Sequence, residues 1–386
     1  MATIPVVQGA RSSQTLQTET RRVRDVEDML QQLEPNDGPL TTLLSRLQAE
    51  TATDPKVEWF EDQLLPDFDV LASALTAAAT SMVVTNYKYF RAGDVVKIND
   101  NEVVRVSATP STTTVSITRA WGSIGAAAAD SGSRLFILSD AGAEFDSYRD
   151  SLTTQKVPKY NYVQDLATPM AFTNTDLATD TFAGKDLPTE HAKGLIEHKK
   201  KMEKALILGQ PYEDTSGTYP IRSSAGVEYF ISTNVKDVSG GFTEPEFEDW
   251  LRVCFRYGSP EKMILCSPKA IQSINGFARS KLHTFTDDST YGVTMTEYKN
   301  AGRRVMLVEE KLLTNQNLND LTGIAGHAIL LDPNNLKLCY LQGNGTELHE
   351  NLQNPGVKGR IDEYRTSFSL RFFLEQTHGL LTGVNE

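Results

Sequence analysis

The sequence predicts an α+β chain in which a small β-module is carried on a long extended segment. Three observations predict it. Between Asp94 and Leu138, short alternating strands follow one another with turn residues between them. On either side, over Lys56–Val84 and Glu144–Asp180, the chain is open, polar and rich in Ala or in Thr, Asn and Asp, with scattered aromatics. Further on, one long helical pattern precedes a stretch of mixed helices and strands. Extended arms bury little of themselves and gain order against neighbouring chains, so the layout points to an assembly subunit.

Taken in order, residues 1–26 are polar and locally basic at Arg11, Arg21, Arg22 and Arg24, which predicts a flexible arm. It is either a solvated tail or an arm that lies on an acidic neighbour or faces nucleic acid. Val26, Met29, Leu30 and Leu33 share one helical face, and Pro35-Asn36-Asp37-Gly38-Pro39 stops that helix. Leu40, Leu43, Leu44 and Leu47 mark a second short helix. Val57, Trp59, Phe60 and Leu64 read as a strand leading outward, with Trp59 either core or interface anchor.

In the β-module, Val95–Ile98 and Glu102–Val106 form a hairpin across Asn99-Asp100-Asn101. Thr113–Thr118 alternates, Trp121 leaves that strand, and Arg134–Leu138 closes a tiny barrel or twisted sheet.

Phe182–Gly209 is the strongest helix, with Pro188 in its first turn and Gly209 as its C-cap. Lys199-Lys200-Lys201 and Lys204 suit the negative end of its dipole; a DNA-facing patch is the rival explanation. Val227–Ile231 reads as strand-like. Thr243 caps a helix to Tyr257, with Glu246 at capping-box spacing. A strand at Lys262–Cys266, a helix from Ser267 to Phe277, and strands at Arg304–Val308 and His327–Leu331 follow. Leu336–Leu341 then runs back after the Asp332–Asn335 turn, so that 243–341 reads as one α+β domain. Glu363–Glu375 alternates as a long strand with one buried face, continuing toward Thr377.

Composition excludes several classes. With 386 residues and 39% hydrophobic content the chain can build a sizeable core in two or three domains. A net charge of −12 argues against general nucleic-acid binding by field alone. Cys254, Cys266 and Cys339 are unpaired in spacing and sit among apolar residues, so buried reduced thiols from a reducing cytoplasm are expected. No signal peptide, membrane span, cofactor or metal site is expected. His191 and His198 lie two turns apart, too far for one metal. The acidic clusters (Asp140, Glu144, Asp146 and Asp150; Asp287-Asp288) lack a calcium-loop pattern, and 50 acidic residues produce carboxylate pairs by chance. Phosphate-loop, dinucleotide and nucleophile-elbow motifs are absent, so no enzyme is predicted.

The order of segments resembles tailed-bacteriophage major capsid proteins of the Hong Kong 97-type fold, in the subgroup with a β-module inserted in the extended loop. The resemblance rests on Gly38-Pro39-Leu40 with Leu43-Leu44, on Val57-Glu58-Trp59, and on Gly93-Asp94-Val95-Val96 through Val115-Ser116-Ile117-Thr118-Arg119. Ala205-Leu206-Ile207-Leu208-Gly209, Leu330-Leu331-Asp332-Pro333 and Leu336-Lys337-Leu338 complete it. It implies an N-terminal arm at 1–50 and an extended loop at 51–180 with its β-barrel-like insertion at 86–138. A peripheral domain at 181–242 with spine helix 186–208, an axial domain at 243–341 and a return to the peripheral domain at 342–386 follow. Pentamers and hexamers would close an icosahedral head around double-stranded DNA held by weak, non-specific contact. The implied partners are copies of itself, a portal protein, a decoration protein, and a separate scaffolding protein, since the first 50 residues are short for a built-in scaffold. Arg21, Arg22, Arg24, Trp59, Phe60, Phe68 and Trp121 are the expected inter-subunit residues, with core packing the rival for Trp121. Another virion or tail protein, a nanocompartment shell, and a carbohydrate-binding or hydrolytic protein are the alternatives.

Overall fold

A computed structural model describes residues 38–47, 49–99, 101–144, 150–179, 186–239, 242–277, 282–284, 296–300, 303–313 and 323–384. The helix expected at Val26–Leu33 lies outside them. Among the described residues there are six α-helices: α1 (Pro39–Arg46), α2 (Asn174–Ala178), α3 (Asp186–Leu208), α4 (Val227–Phe230), α5 (Glu244–Cys254) and α6 (Pro268–Phe277). The chain divides into two compact units, residues 1–58 with 160–386, and residues 59–159.

The first unit holds two main sheets. One is ordered Glu50–Ala52, Leu336–Leu341, Gly359–Phe372, Gln164–Thr173, with Glu347–His349 also pairing on Gly359–Phe372. Gly359–Phe372 is its spine, and the stretch Thr366–Leu370 is buried on both faces, not on one. The alternation of Ser with Phe and Leu there reads as half-buried because small hydroxyl residues tolerate burial when bonded. Ser367 donates to Asp165 at 2.5 Å, for example.

Helix α3 lies on this sheet through close and polar contacts. A Cβ at Gly194 would stand 2.5 Å from Met170 Sδ. His198 bridges the Thr168 and Thr366 hydroxyls at 3.0 and 2.8 Å, and His191 Nε2 meets Asp362 Oδ2 at 2.8 Å. Both histidines therefore have local structural work. The last turn of α3 carries no basic residue, so the dipole does not account for Lys199–Lys201, whose interaction would fade beyond that turn. Gly209 is not left-handed. It is required because a Cβ would strike the carbonyl oxygens of Ala205 and Ser224 at 2.4 Å.

The other sheet is ordered Val235–Asp237, Gly379–Thr382, Ala328–Leu331, Glu261–Cys266, Arg303–Glu309, Thr296–Asn300, Leu282–Thr284. Glu261–Cys266 and Arg303–Glu309 are parallel neighbours, with α6, Leu282–Thr284 and Thr296–Asn300 between them in the chain. Helices α5 and α6 supply Phe247, Trp250, Leu251, Cys254, Ala270 and Ile274 to the core under it. The start of α5 is set by its sequence: Glu246 accepts from the Thr243 amide at 3.1 Å and from its hydroxyl at 2.9 Å.

Three further expectations are corrected. Leu336–Leu341 does not run back on Ala328–Leu331. The Pro333–Asn335 turn carries it into the first sheet, while Val235–Asp237 and Gly379–Thr382 enter the second, so 243–341 is not a closed domain. Val227–Phe230 is helical, not extended. Its Val, Tyr and Phe suggest strand, but Phe230 stacks on Phe372 with centroids 5.2 Å apart, and tertiary packing overrides propensity. Finally, Glu144–Asp180 is not simply open, since Val157–Tyr162 pairs with Lys56–Glu61 and Gln164–Thr173 is a ten-residue strand.

The second unit is a six-stranded sheet ordered Phe68–Val70, Arg134–Asp140, Asp94–Ile98, Val103–Val106, Thr114–Thr118, Ser81–Val83. The Leu71–Val84 bridge joins its two edges, so the sheet closes into a barrel. The interior is filled by Leu71, Met82, Phe90, Val96, Val104 and Leu135 with their neighbours. The module is thus wider than 86–138. Phe68–Val70 and Ser81–Val83 lie in a stretch that reads as open because each strand is only three residues long, too short for a period to register.

Candidate functional site

No described group of three or more His, Cys, Asp or Glu side chains could hold a metal ion, and no described helix is long and apolar enough to cross a membrane. The three cysteines are buried free thiols; burial pushes Cys254 up to about 12 and Cys339 up to about 11, and Cys266 higher still. A cavity of about 330 Å³ is lined by Leu47, Glu50, Pro333, Leu336 and Lys337 among others. Its one carboxylate, Glu50, already accepts from Lys337 at 2.5 Å and from Arg371. Interest therefore falls on surface.

The residues expected at an interface separate. Arg21, Arg22 and Arg24 lie outside the described residues. Along Lys56–Glu61 burial alternates, so Val57 and Trp59 turn inward and Phe60 outward. Trp59 is buried, with Nε1 donating to Glu61 at 3.1 Å, whereas Phe60 is 69% exposed. Beyond the strand, Leu64 is 94% exposed. Phe68 is 38% and Trp121 43% exposed. Core packing therefore does not explain Trp121, whose ring has the Arg105 guanidinium 5.3 Å from its centroid.

The loop bearing Trp121 is held rigidly. Glu102, almost fully buried, accepts from Arg119 Nε and Nη2 at 2.8 and 2.5 Å, and from the amides of Ala120 and Ala127 at 2.8 and 3.1 Å. Arg119 also donates to the carbonyls of Thr76, Ala79 and Ala127. Ala120 has a φ of 51°, a left-handed conformation that these bonds sustain. Trp121 and Ile124 stand exposed on this anchored loop.

A second exposed apolar element was not anticipated. The hairpin Tyr212–Asp214 with Ile221–Ser223 exposes Tyr212, Tyr219 and Ile221 by 64%, 82% and 70%. The Ser216-Gly217 turn between aromatic and β-branched residues signals a hairpin, but residue type alone does not signal its exposure.

The family model described as SU10 major capsid protein matches residues 9–385. Among curated proteins none matches. In fold, the chain is similar to the capsid of an empty GTA particle, with a TM-score of 0.52, 8% identity, and 98% of this chain and 100% of that chain covered. It is similar to the native GTA particle capsid at a TM-score of 0.51, 9% identity, and coverages of 98% and 100%. Mycobacterium phage Bobi gives the same values, 0.51, 9%, and 98% and 100%. Matched along nearly its whole length by that family and folded like these shell subunits, the chain belongs to the SU10 major capsid protein family: a structural protein of the phage virion capsid, not an enzyme.

Proposed function

We propose that copies of this chain form pentamers and hexamers that close an icosahedral head around packaged double-stranded DNA. The observation that carries the reading is the apolar surface left on slender elements: Phe60 on a two-stranded ribbon and Leu64 just beyond it, and Trp121 and Ile124 on the barrel loop. A monomer gains nothing from such side chains in water, and a lattice of identical neighbours gives each one a covered position. Many modest contacts of this kind sum to a stable shell.

In this reading α3 is the spine helix of a peripheral domain, the α5–α6 sheet is the axial domain, and the barrel is the insertion in an extended loop. Phe60, Phe68 and Trp121 are the contact residues, Trp59 stiffens the ribbon from within, and the Arg21, Arg22 and Arg24 arm reaches a neighbour. The shell matures by rigid-body rotation of these domains and bending of α3. A scaffolding protein, a portal and a decoration protein complete the partner list, and the acidic chain keeps DNA contacts weak.

Electron microscopy of the expressed protein, alone and with its scaffolding protein, tests the reading. Rings or closed shells are expected. A stable monomer under both conditions would overturn it.

A further inference from the structure

An asparagine followed by glycine is open to attack by the main chain on its own side-chain amide, because glycine lacks the Cβ that otherwise hinders the approach. Two such pairs occur in this chain, Asn275-Gly276 and Asn344-Gly345, and the fold treats them differently. The first lies within α6, where the Gly276 amide is engaged in the helix ladder. The second lies in the turn between the strands Leu336–Leu341 and Glu347–His349.

In that turn the main chain of Asn344 is pinned on both sides. Its amide donates to Leu341 O at 2.9 Å, and its carbonyl accepts from the Ser367 amide at 3.1 Å. Its side chain is exposed. Among the described residues, neither that side chain nor the Gly345 amide has a hydrogen-bond partner. The nitrogen that would attack and the carbon it would attack are thus neighbours, both unengaged and reached by water.

The turn is also fastened to the sheet. The buried Thr366 hydroxyl donates to the Thr346 hydroxyl at 2.9 Å and meets His198 Nε2 of α3 at 2.8 Å. Directly after the turn, Glu347–His349 pairs with Glu363–Arg365 for three residues only. A strand so short has its register set by the length of the turn that feeds it.

We propose that Asn344 is a self-modifying site, and that its conversion loosens the Glu347–His349 strand. The Gly345 nitrogen gives its proton to hydroxide and bonds to Asn344 Cγ. The bond from Cγ to the side-chain nitrogen breaks, and that nitrogen leaves as ammonia, so that a cyclic succinimide remains. Water opens the ring at either carbonyl. One opening leaves an aspartate at position 344. The other leaves an isoaspartate, in which the main chain runs through Cγ and is one atom longer. The net reaction consumes one water, releases ammonium and adds one negative charge, with no oxidant or reductant. The longer path displaces Thr346 from Thr366 and shifts the strand behind it. The inference rests on this chain's own covalent structure and stands apart from the shell reading.

Peptide mapping by mass spectrometry tests it on the unassembled full chain, aged at mildly alkaline pH in heavy-oxygen water. The peptide holding Asn344 should gain one heavy oxygen about tenfold faster than the peptide holding Asn275 while the chain is folded, and the two rates should converge in denaturant. Gly345→Ala is the control. A Cβ at Gly345 meets nothing within 4 Å and its φ is not left-handed, so the variant is expected to fold while its methyl group hinders ring closure and conversion falls sharply. A folded wild type that leaves Asn344 unconverted, or converts it no faster than Asn275, overturns the proposal. So does a Gly345→Ala chain that converts at the wild-type rate. Should that variant fail to fold, the comparison of the two wild-type peptides decides alone. Hydrogen exchange of the isoaspartate form reads the consequence: protection over 347–349 is expected to fall several-fold, and unchanged protection overturns the loosening.

Discussion

Arg119 reaches Glu102 with two parallel bonds, Nε to Oε1 at 2.8 Å and Nη2 to Oε2 at 2.5 Å, inside a barrel of three- to seven-residue strands. This pair fixes the loops that the strands themselves are too short to hold. Arg119→Ala leaves Glu102 buried without its cation and is expected to cost about 3–5 kcal/mol. Arg119→Lys, which keeps charge but not the planar fork, should cost less. Chemical denaturation followed by circular dichroism reads both. Burial raises the Glu102 carboxyl, but Arg119 and the Ala120 and Ala127 amides together hold it below its ordinary value. Its stabilisation is therefore full above the unfolded-state value and is lost only as pH falls through the lower folded one.

Lys262 is buried and donates to the carbonyls of Cys254, Tyr257 and Thr377 at 2.8, 2.8 and 2.5 Å. Burial lowers it to about 8, against the pull of Asp332. Between that value and the ordinary 10.5 the unfolded chain holds a proton that the folded one has released, so stability should rise with pH across the window. Lys262→Met removes this rise. It also strips three carbonyls of a donor, and we expect a loss of about 3 kcal/mol at neutral pH, because orphaned acceptors outweigh the relief of one buried charge. Thermal melts of the pair from neutral to alkaline pH check both statements.

His198 works in the opposite pH range. Burial, and then Lys201, lower its proton affinity, and it sits neutral between Thr168 and Thr366. Below the ordinary 6.5 the unfolded chain takes up a proton that the folded chain excludes, so stability drops as pH falls. His378, buried and lowered to about 3, acts in the same sense. His198→Gln should shrink, without abolishing, the fall in Tm between about pH 7 and about pH 5. An unchanged slope would remove His198 from the account.

Trp59 and Phe60 are neighbours with opposite assignments. Trp59→Ala is expected to destabilise the subunit by about 3 kcal/mol. Phe60→Ser should leave subunit stability within about 0.5 kcal/mol while assembly yield drops several-fold. Denaturation of the unassembled subunit and sedimentation of the assembly reaction separate the two. Normal shell yield from Phe60→Ser would contradict the role proposed for that side chain.

Much of this architecture is visible in the chain's own periodicity. α1, α3, α5 and α6 each carry a local reason to form, whether an apolar stripe, a Pro in the first turn or the Thr243–Glu246 box. The barrel hairpin is equally local. What stayed hidden depends on partners distant in sequence. Gln164–Thr173 contains Pro169 and alternates only weakly, and it is a strand because Gly359–Phe372 pairs with it. Val227–Phe230 is a helix because Phe372 stacks on it. At the surface, the exposed aromatics of the Tyr212–Ser223 hairpin cannot be told from core residues by type, since exposure is decided by what the rest of the chain leaves uncovered.

The strand Gly379–Thr382 lies between Val235–Asp237 and Ala328–Leu331, inside a sheet whose other members precede it in the chain. During synthesis that sheet therefore remains interrupted until residue 382 has cleared the ribosome. A fragment that lacks 379–382 leaves Val235–Asp237 and Ala328–Leu331 each with an unpaired edge, and open edges of this kind invite pairing with another chain.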